Sequence, residues 1–162
     1  QHSLQKGIRE YDRKKGFRGA ITNISDINNW HENLKKIPKP PALLEYQLAV
    51  ILKVTDNQLE IGLLDGRTSK IAIAEMQWAK TNLKSAKELL RIGDVIIAEP
   101  VKQNYALRQI PDVNGGIMVM NPRTGQVLAS IGGYDFSASK FDRVTQALRQ
   151  PGSLSKTFIY LA

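Results

Sequence analysis

Between Tyr46 and Ile110 the sequence places five short β-type runs around one helical interruption, and that order admits few folds. Tyr46, Leu48, Val50, Leu52 and Val54 alternate with Gln47, Ala49, Ile51 and Lys53, a period of two. Asp56-Asn57 signals a turn, and residues 59–64 read as a second strand. Asp65-Gly66 is a tight hairpin signal of the kind that needs positive φ. A third strand is expected over residues 69–74. Leu83, Ala86, Leu89 and Leu90 then space a short helix that Gly93 would close. Residues 95–98 and 105–110 supply two more strands. Three strands, a helix and two strands is the order of a five-stranded OB-like barrel, expected over residues 42–112.

The flanks read differently. Leu4, Ile8 and Tyr11 recur at helical spacing until Gly16 and Gly19 stop the segment. Ile27, Trp30, Leu34 and Ile37 space a second short helix, with Ser25 or Asp26 as candidate cap. Pro38, Pro40 and Pro41 end it and form a stiff connector, so residues 1–41 read as a helical, proline-rich linker. After Asp112, two apolar strands, 117–120 and 127–131, flank the turn Asn121-Pro122-Arg123-Thr124-Gly125. A hairpin and one short helix cannot bury a core, so residues 113–162 are expected to be an incomplete piece of a larger domain. The expected class is therefore mainly β with short helices.

Charge and composition narrow the function classes. The net charge of +8 divides into +5 over residues 1–41, zero over 42–112 and +3 over 113–162. Basic flanks beside a neutral barrel suit nucleic acid, anionic headgroups or an acidic polymer, and equally suit plain solvation. No window approaches the roughly 18–20 apolar residues of a membrane span, and nothing resembles a signal peptide. The absence of cysteine removes disulfides and thiolate metal sites, and with only His2 and His31 present neither metal nor cofactor is expected. His31 and Trp30 read as helix surface and helix packing. Gly115-Gly116 precede a strand and not a helix, which fits a turn better than a phosphate loop.

One motif carries chemistry. Ser153-Leu154-Ser155-Lys156 fits Ser-x-x-Lys, and on a helix positions i and i+3 share a face. A serine hydroxyl becomes a nucleophile when a base takes its proton, and a lysine held neutral by burial or a cationic neighbour can be that base. A serine in the first helical turn also has free backbone N–H groups close to a developing oxyanion. Nine serines and fourteen lysines make about one such match by chance, so the bare motif has little weight. Ser3/Lys6 and Ser137/Lys140 match as well, but only Ser153/Lys156 follows a Pro-Gly helix start behind a hairpin.

Around that motif the chain resembles the class A penicillin-binding proteins, the bifunctional peptidoglycan synthases, of the Gram-negative 1A type. The run Arg149-Gln150-Pro151-Gly152-Ser153-Leu154-Ser155-Lys156 is similar to their transpeptidase active-site opening. Gly115-Gly116-Ile117-Met118-Val119-Met120-Asn121-Pro122-Arg123-Thr124-Gly125-Gln126-Val127-Leu128-Ala129 resembles the hairpin that begins their transpeptidase domain. Gly132-Gly133-Tyr134-Asp135-Phe136 and Phe141-Asp142-Arg143-Val144-Thr145-Gln146-Ala147 resemble the stretch leading to the nucleophile. Gly7-Ile8-Arg9-Glu10-Tyr11-Asp12-Arg13, with Gly16-Phe17-Arg18-Gly19, is similar to the segment leaving the glycosyltransferase domain. Met76-Gln77-Trp78-Ala79-Lys80 resembles a marker of the OB-like domain inserted between the two catalytic domains. Ser155 and Thr157 depart from the family, which usually has an aromatic or aliphatic residue and a proline there.

The resemblance implies an OB-like domain followed by the start of an α/β transpeptidase domain. It implies Ser153 as nucleophile and Lys156 as general base, with D-Ala–D-Ala stem peptides as substrate and β-lactams trapped at the same serine. It further implies the periplasmic side of the bacterial inner membrane, an anchor upstream of Gln1, and docking of an outer-membrane lipoprotein activator on the barrel. The family's Ser-x-Asn and Lys-Thr-Gly triplets are absent from the sequence, so the chain alone is expected to be inactive, a spacer and partner-docking module. The alternative from another class is a free-standing OB module that binds single-stranded nucleic acid. That needs stacking aromatics in a basic groove, and the neutral barrel offers only Tyr46, Trp78 and Tyr105.

Overall fold

A computed structural model describes residues 1–161 of the chain. Helix α1 (His2–Arg13) is followed by the short strand β1 (Thr22–Asn23) and helix α2 (Trp30–Lys35). The barrel strands are β2 (Gln47–Val54), β3 (Gln58–Leu63), β4 (Thr68–Ala72), β5 (Asp94–Val101) and β6 (Asn104–Arg108). Strands β7 (Ile117–Met120) and β8 (Val127–Ile131) form a separate hairpin, and helix α3 (Ser155–Leu161) comes last. The fold is mainly β, with a closed OB-like barrel and a few short helices.

The barrel closes in the order β5-β2-β3-β4-β6 and back to β5. All its pairings are antiparallel except β4 with β6, which meet in parallel at Ile71 and Tyr105. Strand β5 divides one of its edges between two partners. Asp94 and Val95 pair with β1, and Ile97 to Val101 pair with β6. The 3₁₀ segment Ile73–Ala79 seats Met76 and Ala79 inside the barrel, and a single 3₁₀ turn, Ala86–Glu88, comes next. The helix expected over residues 83–90 is thus reduced to that turn. Its cap is reciprocal: Ser85 Oγ accepts from the Lys87 N–H and Glu88 Oε1 from the Ser85 N–H, each at 3.2 Å. The longer helical stretch lies earlier, at residues 73–79, where spacing alone showed no amphipathic period.

Strand β2 is apolar on both faces, which a period-two reading cannot resolve. Ala49 and Ile51 point into the barrel with Leu59, Ile61, Leu63, Ile71, Ile96 and Leu107. Leu48 and Val50 point outward, onto Leu34, Ile24, Val95 and Ile97. A β-bulge between Ile51 and Lys53 then shifts the register, so Val54 returns to the inner cluster while Leu52 stays with the outer one. The five residues that alternate in the sequence therefore belong to two different cores.

The outer core explains residues 24–37, while Phe17 and Ala20 before them pack on the inner cluster. Helix α2 lies on the outside of the barrel with Leu34 fully buried, and the Trp30 ring rests on Gly62, where a Cβ would stand 2.6 Å from the ring. His31 is not merely surface: its Nε2 lies 3.0 Å from the Leu64 carbonyl oxygen and its ring tilts against Trp30. The helix begins after Asn29, whose Nδ2 donates to Asp26 Oδ2 at 2.7 Å, so neither Ser25 nor Asp26 is the cap residue. The proline connector joins two parts of one packed body.

Truncating Leu34 tests whether this segment is part of the barrel's stability. Leu34→Ala should destabilise the chain by about 3 kcal/mol. A single thermal transition should move downward as a whole, with no separate early melting of residues 17–41.

Candidate functional site

The candidate nucleophile and base sit on one helical run. Gly152 takes φ +54°, and the chain turns through the 3₁₀ segment Gly152–Leu154 straight into α3. The Leu154 N–H donates to the Pro151 carbonyl at 3.1 Å, and Ser155 Oγ donates to the Gly152 carbonyl at 2.7 Å. Ser153 thus lies in the opening turn, with Lys156 one turn on; both side chains are exposed. Leu154, Phe158, Ile159, Tyr160 and Leu161 around them are exposed as well. Among the described residues, no hydrogen bond or ion pair joins Ser153 or Lys156 to another side chain.

The segment before this helix is held by glycine contacts and one aspartate. A Cβ on Gly132 would collide with Asp142, and one on Gly116 would stand 2.9 Å from Val144. The Asp142 carboxylate accepts from the Val144 N–H and from Thr145 Oγ1, both at 2.8 Å, and the Asp142 backbone N–H donates to Gln146 Oε1 at 2.8 Å. The Thr145 bond, then the Val144 N–H, hold its pKa below the usual carboxylate range. These bonds close the turn 142–146 on itself, and the Arg143 N–H, donating to the Gly132 carbonyl at 2.9 Å, pins it to the end of β8.

The other two Ser-x-x-Lys matches are structural. Lys6 pairs with Glu10 at 3.9 Å along α1. Ser137 Oγ donates to Asp135 Oδ1 and accepts from the Ala42 N–H, while Lys140 Nζ lies 5.9 Å from the Phe136 ring centre. Among the described residues, no group of three or more His, Cys, Asp or Glu side chains could hold a metal ion, and no helix is long and apolar enough to cross a membrane.

Two clusters escaped the sequence reading, and both lie on α1. Asp12 is 1% exposed, and its carboxylate accepts four hydrogen bonds. Arg18 Nη1 reaches both oxygens at 3.0 Å, Gln109 Nε2 donates to Oδ2 at 2.8 Å, and the Asp112 N–H donates to Oδ1 at 3.1 Å. One helix turn back, Arg9 donates to the Tyr134 hydroxyl at 2.8 Å and to Glu45 at 2.7 Å, and stacks on the Tyr46 ring at 4.7 Å. Burial alone would lower the Arg9 pKa, but the bonds to Glu45 and Tyr134 outweigh it and raise it. The available signal was a charged residue on the apolar stripe of a helix, Asp12 standing four positions after Ile8.

Burial pushes the Tyr46 phenol up to about 12, and burial raises Tyr134 as well. The folded state then keeps a proton that the unfolded chain releases near an ordinary value of about 10. The stability this provides is complete below that value and is lost as pH rises through the window from about 10 to about 12. Tyr46→Phe should keep neutral-pH stability within about 1 kcal/mol and lessen the alkaline fall. Thermal midpoints measured at about pH 8 and about pH 11 check this, and an undiminished fall in the variant would count against it.

Comparison with known proteins places this geometry. The penicillin-binding protein OB-like domain model matches residues 17–113, which spans β1, α2 and the whole barrel. Penicillin-binding protein 1A of Rickettsia felis is 70% identical over 162 residues, all of this chain and 20% of that protein. Penicillin-binding protein 1A of Escherichia coli K12 is 31% identical over 178 aligned residues, covering all of this chain and 21% of that protein. The crystal structure of penicillin-binding protein 1A from Haemophilus influenzae superposes with a TM-score of 0.70 at 25% identity, over 98% of this chain and 24% of that one. The chain spans about a fifth of the length of the curated relatives it matches. With its barrel, its strap of linker and its relatives in agreement, the chain belongs to the penicillin-binding protein OB-like domain family.

Proposed function

We propose that the chain is the inter-domain segment of a class A peptidoglycan synthase, carrying the OB-like barrel between a glycosyltransferase and a transpeptidase. One observation carries this reading: the whole chain aligns to penicillin-binding protein 1A relatives, at up to 70% identity. In this reading residues 1–41 leave the glycosyltransferase domain, residues 42–112 are the OB-like domain, and residues 113–162 begin the transpeptidase domain. The assembly works on the periplasmic side of the inner membrane. The barrel spaces the catalytic domains and offers a surface to an outer-membrane lipoprotein activator.

Ser153 then attacks the D-Ala–D-Ala carbonyl of a donor stem peptide. Its proton passes to Lys156 Nζ, terminal D-alanine leaves, and an acceptor amine resolves the acyl-enzyme. β-Lactams acylate the same oxygen. The position of Ser153 in an opening helical turn supports the role, because a helix start is where backbone N–H groups can face an oxyanion, although the Leu154 and Ser155 N–H groups are here engaged by the Pro151 and Gly152 carbonyls. Lys156 must be neutral to act as base, which requires burial or a cationic neighbour. Its exposure in this chain means that the reading needs those partners from the rest of the synthase.

The nucleic-acid alternative has little to stack on. Tyr46 is buried, and Trp78 donates to the Leu107 carbonyl and meets Phe17 edge-on at 6.1 Å. The Tyr105 hydroxyl accepts from Gln47 Nε2 at 3.0 Å. All three aromatics are occupied in packing.

A fluorescent penicillin should label the full-length synthase at Ser153, and Ser153→Ala should abolish labelling. Lys156→Ala should slow acylation by about three orders of magnitude or more. The 162-residue chain alone should remain unlabelled. Labelling of full-length protein that survives Ser153→Ala overturns the assignment of the nucleophile, and stoichiometric acylation of the isolated chain overturns its inactivity.

A further inference from the structure

Helix α1 precedes the barrel in sequence yet grips the segment that follows it. Its buried stripe is Gln5, Ile8 and Asp12. Gln5 Nε2 donates to the Tyr134 carbonyl at 2.9 Å, and Ile8 packs with Tyr134 and Ala42. One turn further on, Asp12 binds both legs of the barrel. The incoming leg supplies Arg18, and the outgoing leg supplies Gln109 and the Asp112 N–H.

The two legs also bind each other. Arg18 donates from Nη2 to the Ile110 carbonyl and from Nε to Asp112 Oδ2, and its N–H donates to Gln109 Oε1. Gln109 Nε2 reaches the Gly16 carbonyl at 3.0 Å. The barrel is therefore a loop of chain whose neck is closed around one carboxylate. A buried carboxylate is tolerated only while its donors stay in place, so the closed neck depends on the four bonds to Asp12.

We propose that Asp12 is a clasp that couples the barrel to the Tyr134 grip. Pulling the legs apart frees the last turn of α1, and the same helix face then loosens on Tyr134. A partner seated on the barrel would in this way be felt on the hairpin side through α1. Coupling of this kind is reciprocal: loosening Tyr134 must also open the neck.

Amide hydrogen exchange on the 162-residue chain tests it. The reporters are the Arg18 and Asp112 amides in the neck, the Tyr134 amide, which donates to Asn114 Oδ1, and the Ile61 amide in the barrel. Asp12→Asn should speed exchange by about tenfold at Arg18, Asp112 and Tyr134 and leave Ile61 as it was. Tyr134→Phe, which removes only the hydroxyl that Arg9 holds, should speed exchange at Arg18 and Asp112 by a smaller factor of about three. If Asp12→Asn does not fold, Arg18→Lys replaces it with the same expected pattern. A neck that opens while Tyr134 stays protected overturns the coupling, as does Tyr134→Phe without effect on the neck. Loss of Ile61 protection in step with the rest overturns it too, because the change would then be global.

Discussion

The carboxylate of Asp12 holds three stretches of chain together at one point: the end of α1, the leg into the barrel and the leg out of it. A carboxylate in an apolar setting is costly unless each lone pair has a donor, and here Arg18, Gln109 and the Asp112 backbone supply them. The arrangement works because the donors come from both legs. Remove either leg and the charge is left partly unsatisfied. The barrel, the helix before it and the hairpin after it thus share a single electrostatic condition.

The barrel depends on a second shared element, strand β5. One edge of β5 serves β1 for two residues and β6 for the rest, while the other serves β2. This closes the barrel and lets the incoming linker add a strand to it. The outward faces of β2 and β5 are consequently apolar, and Leu34, Ile24 and Trp30 cover them. A barrel with two apolar faces on one strand needs such a cover, or Leu48 and Val50 would stand in water.

Much of this architecture is legible in the amino-acid sequence. The turn signals, the strand order and the hairpin at residues 117–131 come from residue type and spacing, because Asp-Gly, Asn-Pro and runs of β-branched residues act locally. Other parts are not legible, for definite reasons. The helix expected over 83–90 shrinks to one turn because Leu83, Ala86 and Leu90 are buried by the barrel and not by a helical stripe of their own. The two-core nature of β2 is hidden because both of its faces are apolar, and because a bulge after Ile51 returns Val54 to the inner side. At the candidate site, Ser153 and Lys156 can be picked out by spacing, and the structure sets them on one helical run. The Asp142 bonds to Val144 and Thr145 are a local Asx turn, but the close approach of that turn to Gly132, which pins the approach to the run, is not set by any local spacing.

Most of the strands, the neutral barrel between basic flanks, and the one serine–lysine pair behind a Pro-Gly helix start follow from the order of residues alone. Those are properties of neighbours in the chain, where propensity and period decide. Folding in three dimensions sets the linker over the outer face of the barrel and brings Tyr134, which follows the barrel in sequence, onto α1. It alone decided that Asp12 lies at the neck, too. The contacts of α1 join residues on the order of a hundred positions apart, and no local rule specifies which distant donor will satisfy a buried charge.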